Sequence, residues 1–491
     1  MPHTLPLSLS QCAAGVFDHL SWYALTLPFT LLLVYLRSSK CQHFESAWHF
    51  FSRMKKVLVV TYYFPPSGGP GVQRVLKFVK YLPEFGWQPV ILTVQDADFP
   101  ARDESLLAEI PKHTIVYRTK IFEPYRLYRK LTGKPSDAPV DVENIPQPGR
   151  KRSLSESLAA FVRSTFFIPD ARIGWYPYAL AAGRTIIQRE RIDAIYSSSP
   201  PYTTAVIARR LHREARVPWV AGFRDPWTGF LSTPDRWFLP RALDCRLERA
   251  VFEEASAVEA AWKGILTDIT KKIPALDREK LVYLPNGFDR DDYPRLDIAR
   301  NQRFTVTYTG SMYGKRNPET FLRAIEELTS EGKVTVDKIR LKFIGRFGSE
   351  VQEMLKSSTV RDAIEIIPYL PHSESVKELL RADALLLVVD EAAGSEGIVP
   401  GKVFEYIGAQ RPIIALAPEG AVAELMRETR SGFVAANQDI PAIKAAFVEC
   451  YQNFLYDRSQ GQQDAEAVKQ YDRREITRQL ATLLDSLHHQ Y

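Results

Sequence analysis

Two charged residues stand three apart at the start of a short helix predicted after Pro400. In GIVPGKVFEYIGAQRPIIAL (397–416), a turn is followed by apolar residues at helical spacing, and then by an apolar run typical of a buried strand. Lys402 and Glu405 project near the same helix end, where free backbone N–H groups suit a diphosphate. Glu405 can accept hydrogen bonds from the two hydroxyls of a ribose. The alternative is a capped helix whose Lys402 and Glu405 are merely solvated.

A second candidate binding element is the Gly/Pro-rich loop in MKKVLVVTYYFPPSGGPGVQRVLKFVKYLPEFGWQPVILTV (54–94). Residues 57–60 form an apolar run, as a parallel strand buried on both faces should. Apolar residues after the loop recur at helical spacing. Gly68, Gly69 and Gly71 let a ligand approach the backbone closely. The alternative is a tight turn that binds nothing.

These two segments resemble the nucleotide-sugar site and the first βαβ unit of GT-B glycosyltransferases of family four. YSSSPPYTTAVIARRL (196–211) and WVAGFRDPWTGF (219–230) fit the same family, and FRDPW indicates a bacterial subgroup of its sugar transferases. The resemblance covers 54–491. It implies an α/β fold with two Rossmann-like parallel-sheet domains facing a cleft, and a C-terminal helix that crosses back to the first domain.

The resemblance also implies which residues hold the donor. Glu405 corresponds to the glutamate that holds the donor ribose, and the basic pair Lys315 and Arg316 would act with Lys402 on the leaving diphosphate. Without the resemblance, that pair would be read as surface charge. No Asp-x-Asp motif follows a strand, so neither a cofactor nor a metal is expected. The predicted donor-binding residues are Gly68, Gly69, Gly310, Ser311, Arg316, Glu396, Lys402 and Glu405.

The sequence departs from the family pattern at the donor sugar. Family members usually carry a second glutamate eight residues before the ribose-binding one, and this chain has Gly397 there. Glu396 lies nine residues before Glu405. Either Glu396 serves in a loop shifted by one residue, or the donor sugar is held otherwise.

Arg224 and Asp225 stand where many family members present a His-Asp pair to the reacting sugar. Arg224 cannot act as a base because its guanidinium stays protonated. Asp225 can accept a hydrogen bond from a sugar hydroxyl or orient the acceptor. The alternative is a buried Arg–Asp pair that makes the loop rigid. For His372, a family position in the turn before a helix, a helix-entry role is favoured. The predicted catalytic residues are Asp225, Arg224, Arg316 and Lys402.

Length and composition indicate two α/β domains. The chain has 491 residues, 45% of them apolar. A chain of this length is too long to fold around one hydrophobic core. The net charge of +6 is mild and no nucleic-acid-binding signature is present, so no nucleic-acid partner is expected. The four cysteines lack paired spacing, which predicts neither disulfides nor a zinc site and fits a reducing cytoplasm.

Four regions are predicted along the chain: a non-core extension at 1–53, an N-terminal acceptor-side domain at 54–290, a C-terminal nucleotide-sugar-binding domain at 291–470, and a crossover helix at 471–491. Strands are predicted at 56–61, 90–94, 114–118, 193–198, 219–223, 256–260 and 281–284, then from Phe304, and at 340–344, 364–367, 384–389, 413–417 and 432–434.

The extension at 1–53 contains an apolar stretch at 20–36 that is broken by Pro28. Three interpretations compete: a membrane anchor, a secretory signal, and translation from a misassigned start. The third is favoured, because Met54 immediately precedes the first strand.

A long insertion at 120–180 interrupts the first domain. Residues 118–163 carry ten Lys/Arg against five Asp/Glu, with aromatic residues interleaved. One interpretation, which is favoured, is a solvated loop with one helix packed on the domain. The other is a peripheral membrane contact, a basic aromatic surface that rests on anionic lipid or grips a lipid-linked acceptor.

The sequence therefore predicts a transferase that moves a sugar from a nucleotide-sugar to a glycan or lipid-linked acceptor, with retention, in cell-surface polysaccharide or glycolipid synthesis. It would act in the cytoplasm or at the inner face of the cytoplasmic membrane. Two alternatives use the same fold: a nucleotide-sugar 2-epimerase, and a catalytically silent scaffold that binds nucleotide-sugar or a partner enzyme. FRDPW, the segment LPNGFDRDDY (284–293), which looks like the interdomain linker of the family, and the insertion favour the transferase.

Overall fold

The computed structural model describes residues 54–95, 97, 99, 102–122, 161–230, 233–312, 314, 316–389, 395–397, 399–458 and 463–489. The extension at 1–53, the basic stretch at 123–160 and Lys315 lie outside these ranges. The predictions made for them therefore stay predictions.

Seven parallel strands form the first sheet, in the order β3-β2-β1-β4-β5-β6-β7. They are β1 (Lys55–Thr61), β2 (Trp87–Val94), β3 (Ile115–Thr119), β4 (Ala194–Ser199), β5 (Trp219–Phe223), β6 (Ala257–Ala260) and β7 (Leu281–Tyr283). The order reverses between β1 and β4, and the carboxyl edge at such a point is where ligands of open parallel sheets bind.

Helices cover this sheet on its two faces. They are α1 (Pro70–Tyr81), α2 (Tyr176–Glu190), α3 (Thr203–Ala215), α4 (Phe238–Glu254) and α5 (Lys263–Lys272). In α1, Val72, Val75, Leu76 and Val79 are fully buried, as their helical spacing predicts. The predicted insertion at 120–180 ends inside α2, so its last residues belong to the helical layer that joins β3 to β4.

Six parallel strands form the second sheet, in the order β10-β9-β8-β11-β12-β13. They are β8 (Phe304–Thr309), β9 (Ile339–Ile344), β10 (Ile364–Ile367), β11 (Ala384–Val388), β12 (Ile413–Leu416) and β13 (Gly432–Ala435). The accompanying helices are α6 (Glu319–Ser330), α7 (Ser349–Ser357), α8 (His372–Arg381), α9 (Gly401–Gly408), α10 (Ala421–Thr429), α11 (Ile440–Leu455) and α12 (Ala465–Lys469).

The chain passes between the two sheets twice, and the two passages are hydrogen-bonded to each other. Phe288 donates its N–H to the Tyr471 carbonyl at 3.0 Å, and Arg473 donates its N–H to the Phe288 carbonyl at 2.8 Å. A Cβ at Gly287 would lie 2.0 Å from the Tyr471 oxygen, so only glycine permits this approach.

After the second passage, α13 (Arg473–His488) packs back on the first sheet. Its buried apolar residues join the core that contains β1 and α1: Ile476, Leu480, Ala481, Leu484 and Leu487. The predicted fold class, two parallel-sheet units with a C-terminal helix crossing back, is thereby confirmed.

Candidate active site

The Gly-rich loop after β1 is held by Arg224, which follows β5. Nη1 of Arg224 donates to the Gly71 carbonyl and to Oγ of Ser198, both at 3.1 Å, and Nη2 donates to the Pro200 carbonyl. A Cβ at position 71 would lie 3.1 Å from the guanidinium carbon, a tight contact that glycine avoids. Arg224 thus joins the carboxyl ends of β1, β4 and β5.

Asp225 lies beside Arg224 at the same edge of the sheet and is partly buried. Burial raises the pKa of its carboxyl, and the charge of Arg224 opposes that rise. Among the described residues, none donates a hydrogen bond to this carboxylate. The Arg224 guanidinium is hydrogen-bonded to the loops, and its charge also interacts with that of Asp225. The alternative of an Arg224–Asp225 pair that makes the loop rigid therefore stays open.

In the second half, Lys402 reaches from the start of α9 to the carboxyl end of β8. Its Nζ donates to the Tyr308 hydroxyl at 2.7 Å and to the Thr309 carbonyl at 3.1 Å. The Tyr308 hydroxyl donates in turn to the Ser311 carbonyl at 2.9 Å. Gly310 has φ +116°, and a Cβ there would lie 2.6 Å from Nζ. The structure therefore brings together three predicted donor residues, Gly310, Ser311 and Lys402.

Glu405 lies one turn further along α9, next to His372. Nδ1 of His372 is 4.0 Å from Oε1 of Glu405, and Nε2 is 3.3 Å from Oδ2 of Asp292 in the interdomain linker. His372 is the first residue of α8, which confirms its predicted place at a helix start. Its ring also bridges two carboxylates, a contact that the sequence did not predict.

The pKa values of His372 and Glu405 are both raised, but for different reasons. Burial alone would lower the pKa of His372, but the hydrogen bond to Asp292 and the charge of Glu405 outweigh it, so the pKa is raised. Burial raises the pKa of the Glu405 carboxyl, against the opposing charges of His372 and Lys402.

Asp292 connects the charged groups of Glu405 and His372 to a lysine in the first half of the molecule. Nζ of Lys77, on α1, lies 2.6 Å from Asp292 and 2.8 Å from Asp289, and the Lys77 side chain is only 3% exposed. Alternating charges therefore run from α1 through the linker and His372 to Glu405.

The remaining predicted residues occupy loops. Gly69 caps α1 with φ +98°, and Gly68 precedes it. Arg316 is partly buried in the loop after β8. Glu396 is exposed in a short turn, Ser395–Gly397, and forms no hydrogen bond or ion pair with other residues in the described ranges.

Trp262, which the sequence reasoning did not single out, lies between the two halves. Its Nε1 donates to the Arg224 carbonyl at 3.1 Å. A Cβ built on Gly397, in the second half, would lie 3.0 Å from a carbon of the Trp262 ring. The available signal was positional, since Trp262 comes two residues after β6, at the carboxyl edge where Arg224 also lies.

Three observations concern cofactors and location. Within the described ranges, no three His, Cys, Asp or Glu side chains converge as metal ligands, and Cys245 and Cys450 are free thiols. In the part of the chain that the structure describes, no helix is both long and apolar enough to cross a bilayer. Metal-independent transfer stays a prediction.

Two family models match the two halves of the chain. Residues 68–287 match the glycosyl transferase 4-like domain, and residues 303–453 match glycosyl transferases group 1. The two matches together cover most of the chain and meet at the interdomain linker. The protein therefore belongs to the glycosyltransferases with the GT-B fold, as its sequence motifs predicted. Among curated proteins, none matches the chain.

Several solved structures share this fold. HepE from Anabaena, in complex with UDP, has a TM-score of 0.57 and 14% identity, covering 88% of this chain and 100% of that chain. Sucrose-phosphate synthase from Thermosynechococcus elongatus has a TM-score of 0.58 and 11% identity, covering 89% of this chain and 100% of that chain. TarM has a TM-score of 0.55 and 10% identity, covering 88% of this chain and 99% of that chain. These similarities concern the fold.

Proposed function

We propose that the protein moves a sugar from a nucleotide-sugar to a glycan or lipid-linked acceptor of cell-surface polysaccharide or glycolipid synthesis. The observation that carries this proposal is the pairing of Lys402 and Glu405 on one short helix at the carboxyl edge of the second sheet, where parallel sheets bind ligands. HepE, which shares the fold, has been solved with UDP and with UDP-glucose.

The donor would be held by its nucleotide. Glu405 is partly exposed beside His372, so its carboxylate can accept hydrogen bonds from ribose hydroxyls while His372 remains behind it. The diphosphate would lie at the start of α9, between the helix N–H groups and the Gly310–Ser311 loop. Lys402 is already fastened to that loop through Tyr308.

Transfer would proceed by stabilising the leaving group. When the oxygen of the acceptor hydroxyl bonds to the anomeric carbon, the bond from that carbon to the diphosphate breaks and the released diphosphate oxygen gains negative charge. The same diphosphate oxygen would take up the proton that the acceptor hydroxyl loses. Lys402 and Arg316 would stabilise that charge more in the transition state than in the bound donor, without a metal ion. Asp225 would orient the acceptor hydroxyl from the opposite half. Net retention of configuration forms part of the same proposal.

An exposed apolar surface on the first half supports a lipid-linked acceptor. The aromatic patch consists of Phe161, Phe166, Trp237, Phe238 and Leu239, of which Phe166 is 71% and Phe238 is 77% exposed. A hydrogen bond of 2.9 Å from Nε1 of Trp237 to Oγ1 of Thr165 joins its two segments. On α4, the helix that carries Phe238 and Leu239, Arg241 and Arg246 are also exposed.

Such a combination of aromatic and basic side chains suits the surface of an anionic bilayer. We place the protein at the cytoplasmic face of the membrane, where the patch would meet the lipid that carries the acceptor.

A thermal-shift panel tests the donor assignment. The full chain is melted with UDP, GDP and ADP, and with UDP-glucose, GDP-mannose and ADP-glucose, each with Mg²⁺ or with a chelator. A ligand that binds only the folded state, at about a hundred times its Kd, should raise the melting temperature by on the order of 5 °C. The same shift with the chelator supports metal independence. No shift with any nucleotide would overturn the proposal.

A further inference from the structure

We propose that Trp262 forms one wall of the donor-sugar pocket and, with Gly397, determines which sugars are accepted. This inference rests on the function proposed above, because it assumes that a nucleotide-sugar occupies the cleft.

Trp262 lies where the two halves of the molecule approach each other. Trp262 follows β6 of the first sheet and approaches the backbone of Gly397, eight residues before Glu405, in the second half. It is also hydrogen-bonded through Nε1 to the Arg224 carbonyl, immediately before Asp225. The indole therefore stands between the loop that carries the acceptor-side carboxylate and the loop that leads into the nucleotide helix. In the proposed site, a sugar attached to a diphosphate at the start of α9 would lie next to the indole.

The indole of Trp262 is held in place by its neighbours. A Cβ at Gly264 would lie 1.8 Å from the Trp262 ring, so the absence of a side chain there makes room for the ring. Phe230 packs against it with ring centroids 6.3 Å apart. Nevertheless, Trp262 is not fully buried. A fixed, partly exposed aromatic ring is a ready-made surface for a ligand and loses little conformational entropy on binding.

Trp262 and Gly397 offer a sugar an aromatic face instead of a carboxylate. A carboxylate in the pocket would accept hydrogen bonds from sugar hydroxyls, but position 397 has no side chain, and a Cβ there would lie 3.0 Å from the indole. An indole instead attracts the apolar C–H face of a pyranose through its negative π face. The pocket should thus favour sugars that present a continuous C–H face over sugars that turn an axial hydroxyl towards the ring.

The test compares each free diphosphate with its sugar conjugate by calorimetric titration of the full chain. The pairs are UDP with UDP-glucose and with UDP-galactose, GDP with GDP-mannose, and ADP with ADP-glucose. The Kd of the free diphosphate is divided by the Kd of its sugar conjugate. The change in this ratio between the wild type and a variant isolates what the replaced side chain contributes to binding the sugar. Trp262→Ala should reduce that ratio about tenfold, and Trp262→Phe less, while the Kd of the free diphosphate stays unchanged.

Two further variants keep the test interpretable. Tyr178→Ala removes an exposed aromatic residue of the same half, 43% exposed on α2, and should leave the ratio as in the wild type. Gly397→Ala places a methyl group against the indole and should reduce the ratio without removing an aromatic residue. Should Trp262→Ala fail to fold, Trp262→Phe and Gly397→Ala carry the test.

The outcomes separate this inference from the function on which it rests. If the Trp262 variants keep the wild-type ratio for every pair, the Trp262 assignment is overturned. If no nucleotide binds the wild type, the proposed function itself fails. A ratio that falls in the Trp262 and Gly397 variants but not in the control, with the affinity for the free diphosphate intact, supports the inference.

Discussion

At the scale of single residues, the environment of Glu405 is set by charges from three elements. His372 lies between Glu405 and Asp292, and Lys77 reaches Asp292 from α1. Lys402, on the same helix as Glu405, also opposes the burial that raises the pKa of the Glu405 carboxyl. A protonated His372 therefore both stabilises the linker and holds the carboxylate in its charged form.

The raised pKa of His372 predicts how stability depends on pH. A histidine whose pKa is higher in the folded state contributes stability that is fully present below its ordinary pKa of about 6.5, and that is lost as pH rises through the raised value. The free energy of unfolding of His372→Asn should therefore fall below that of the wild type by about 1 kcal/mol near pH 6, and by less near pH 9. Urea denaturation across this range measures the difference.

The matched control for that series is His113→Asn, which replaces an exposed histidine. Its denaturation curves should follow those of the wild type at every pH. A difference between His372→Asn and the wild type that does not change with pH would show that the Asp292 and Glu405 contacts do not depend on protonation of the ring.

At the scale of elements, local sequence patterns predicted the strands well. The buried strands β1 and β12 each contain an apolar run, and Pro412 and Pro418 flank that of β12. These signals lie within or next to the segment itself. The predicted start of β2 at residue 90 was late, because Trp87 and Pro89 were not recognised as its first residues.

The contacts between elements could not be predicted from local sequence patterns. Trp262 meets Gly397, and His372 meets Asp292, only because separate sheets bring distant positions together. No spacing in the sequence encodes such a meeting. The resemblance to a family supplied Glu405 and Lys402 because their motif is local, whereas nothing local marked Trp262.

The crossover helix gives a prediction at this scale. Leu480 of α13 is fully buried against the first sheet, so Leu480→Ala should lower the free energy of unfolding by about 2 to 5 kcal/mol through lost burial and the cavity left behind. Leu239→Ala, at a helix leucine that is 59% exposed, should change it by less than about 0.5 kcal/mol. Equal losses in the two variants would mean that α13 does not hold the first half together.

At the scale of the whole molecule, the candidate active site and the aromatic patch involve different parts of the chain. In the proposed site, Asp225 would come from one half, and Lys402 and Glu405 from the other. The aromatic patch belongs to the first half alone, which is also the half that would meet the acceptor. This arrangement suits a transferase that works on a lipid-linked acceptor. The first half would contact the lipid, while the second half stays open to a donor that arrives from solution.

The aromatic patch can be tested with vesicles. Replacing Phe166 and Phe238 by serine removes two rings that are mostly exposed, and should weaken binding to mixed phosphatidylglycerol and phosphatidylcholine vesicles by about tenfold or more. The paired control replaces Leu455 and Tyr456, which are 49% and 66% exposed in the second half, by serine. Cosedimentation measures both. Wild-type binding by the Phe166 and Phe238 variant, or equal loss in the control, would contradict the proposed membrane contact.

The central claim is that Glu405 holds the nucleotide of a sugar donor, and its most direct test is the Kd of the diphosphate that the thermal-shift panel identifies. By calorimetry, Glu405→Ala should raise that Kd about tenfold to a hundredfold, since a charged hydrogen-bond acceptor is lost from a partly enclosed site. The control Glu449→Ala, at an exposed glutamate of α11, should leave it unchanged. A Glu405→Ala protein that binds the diphosphate with wild-type affinity would contradict the account.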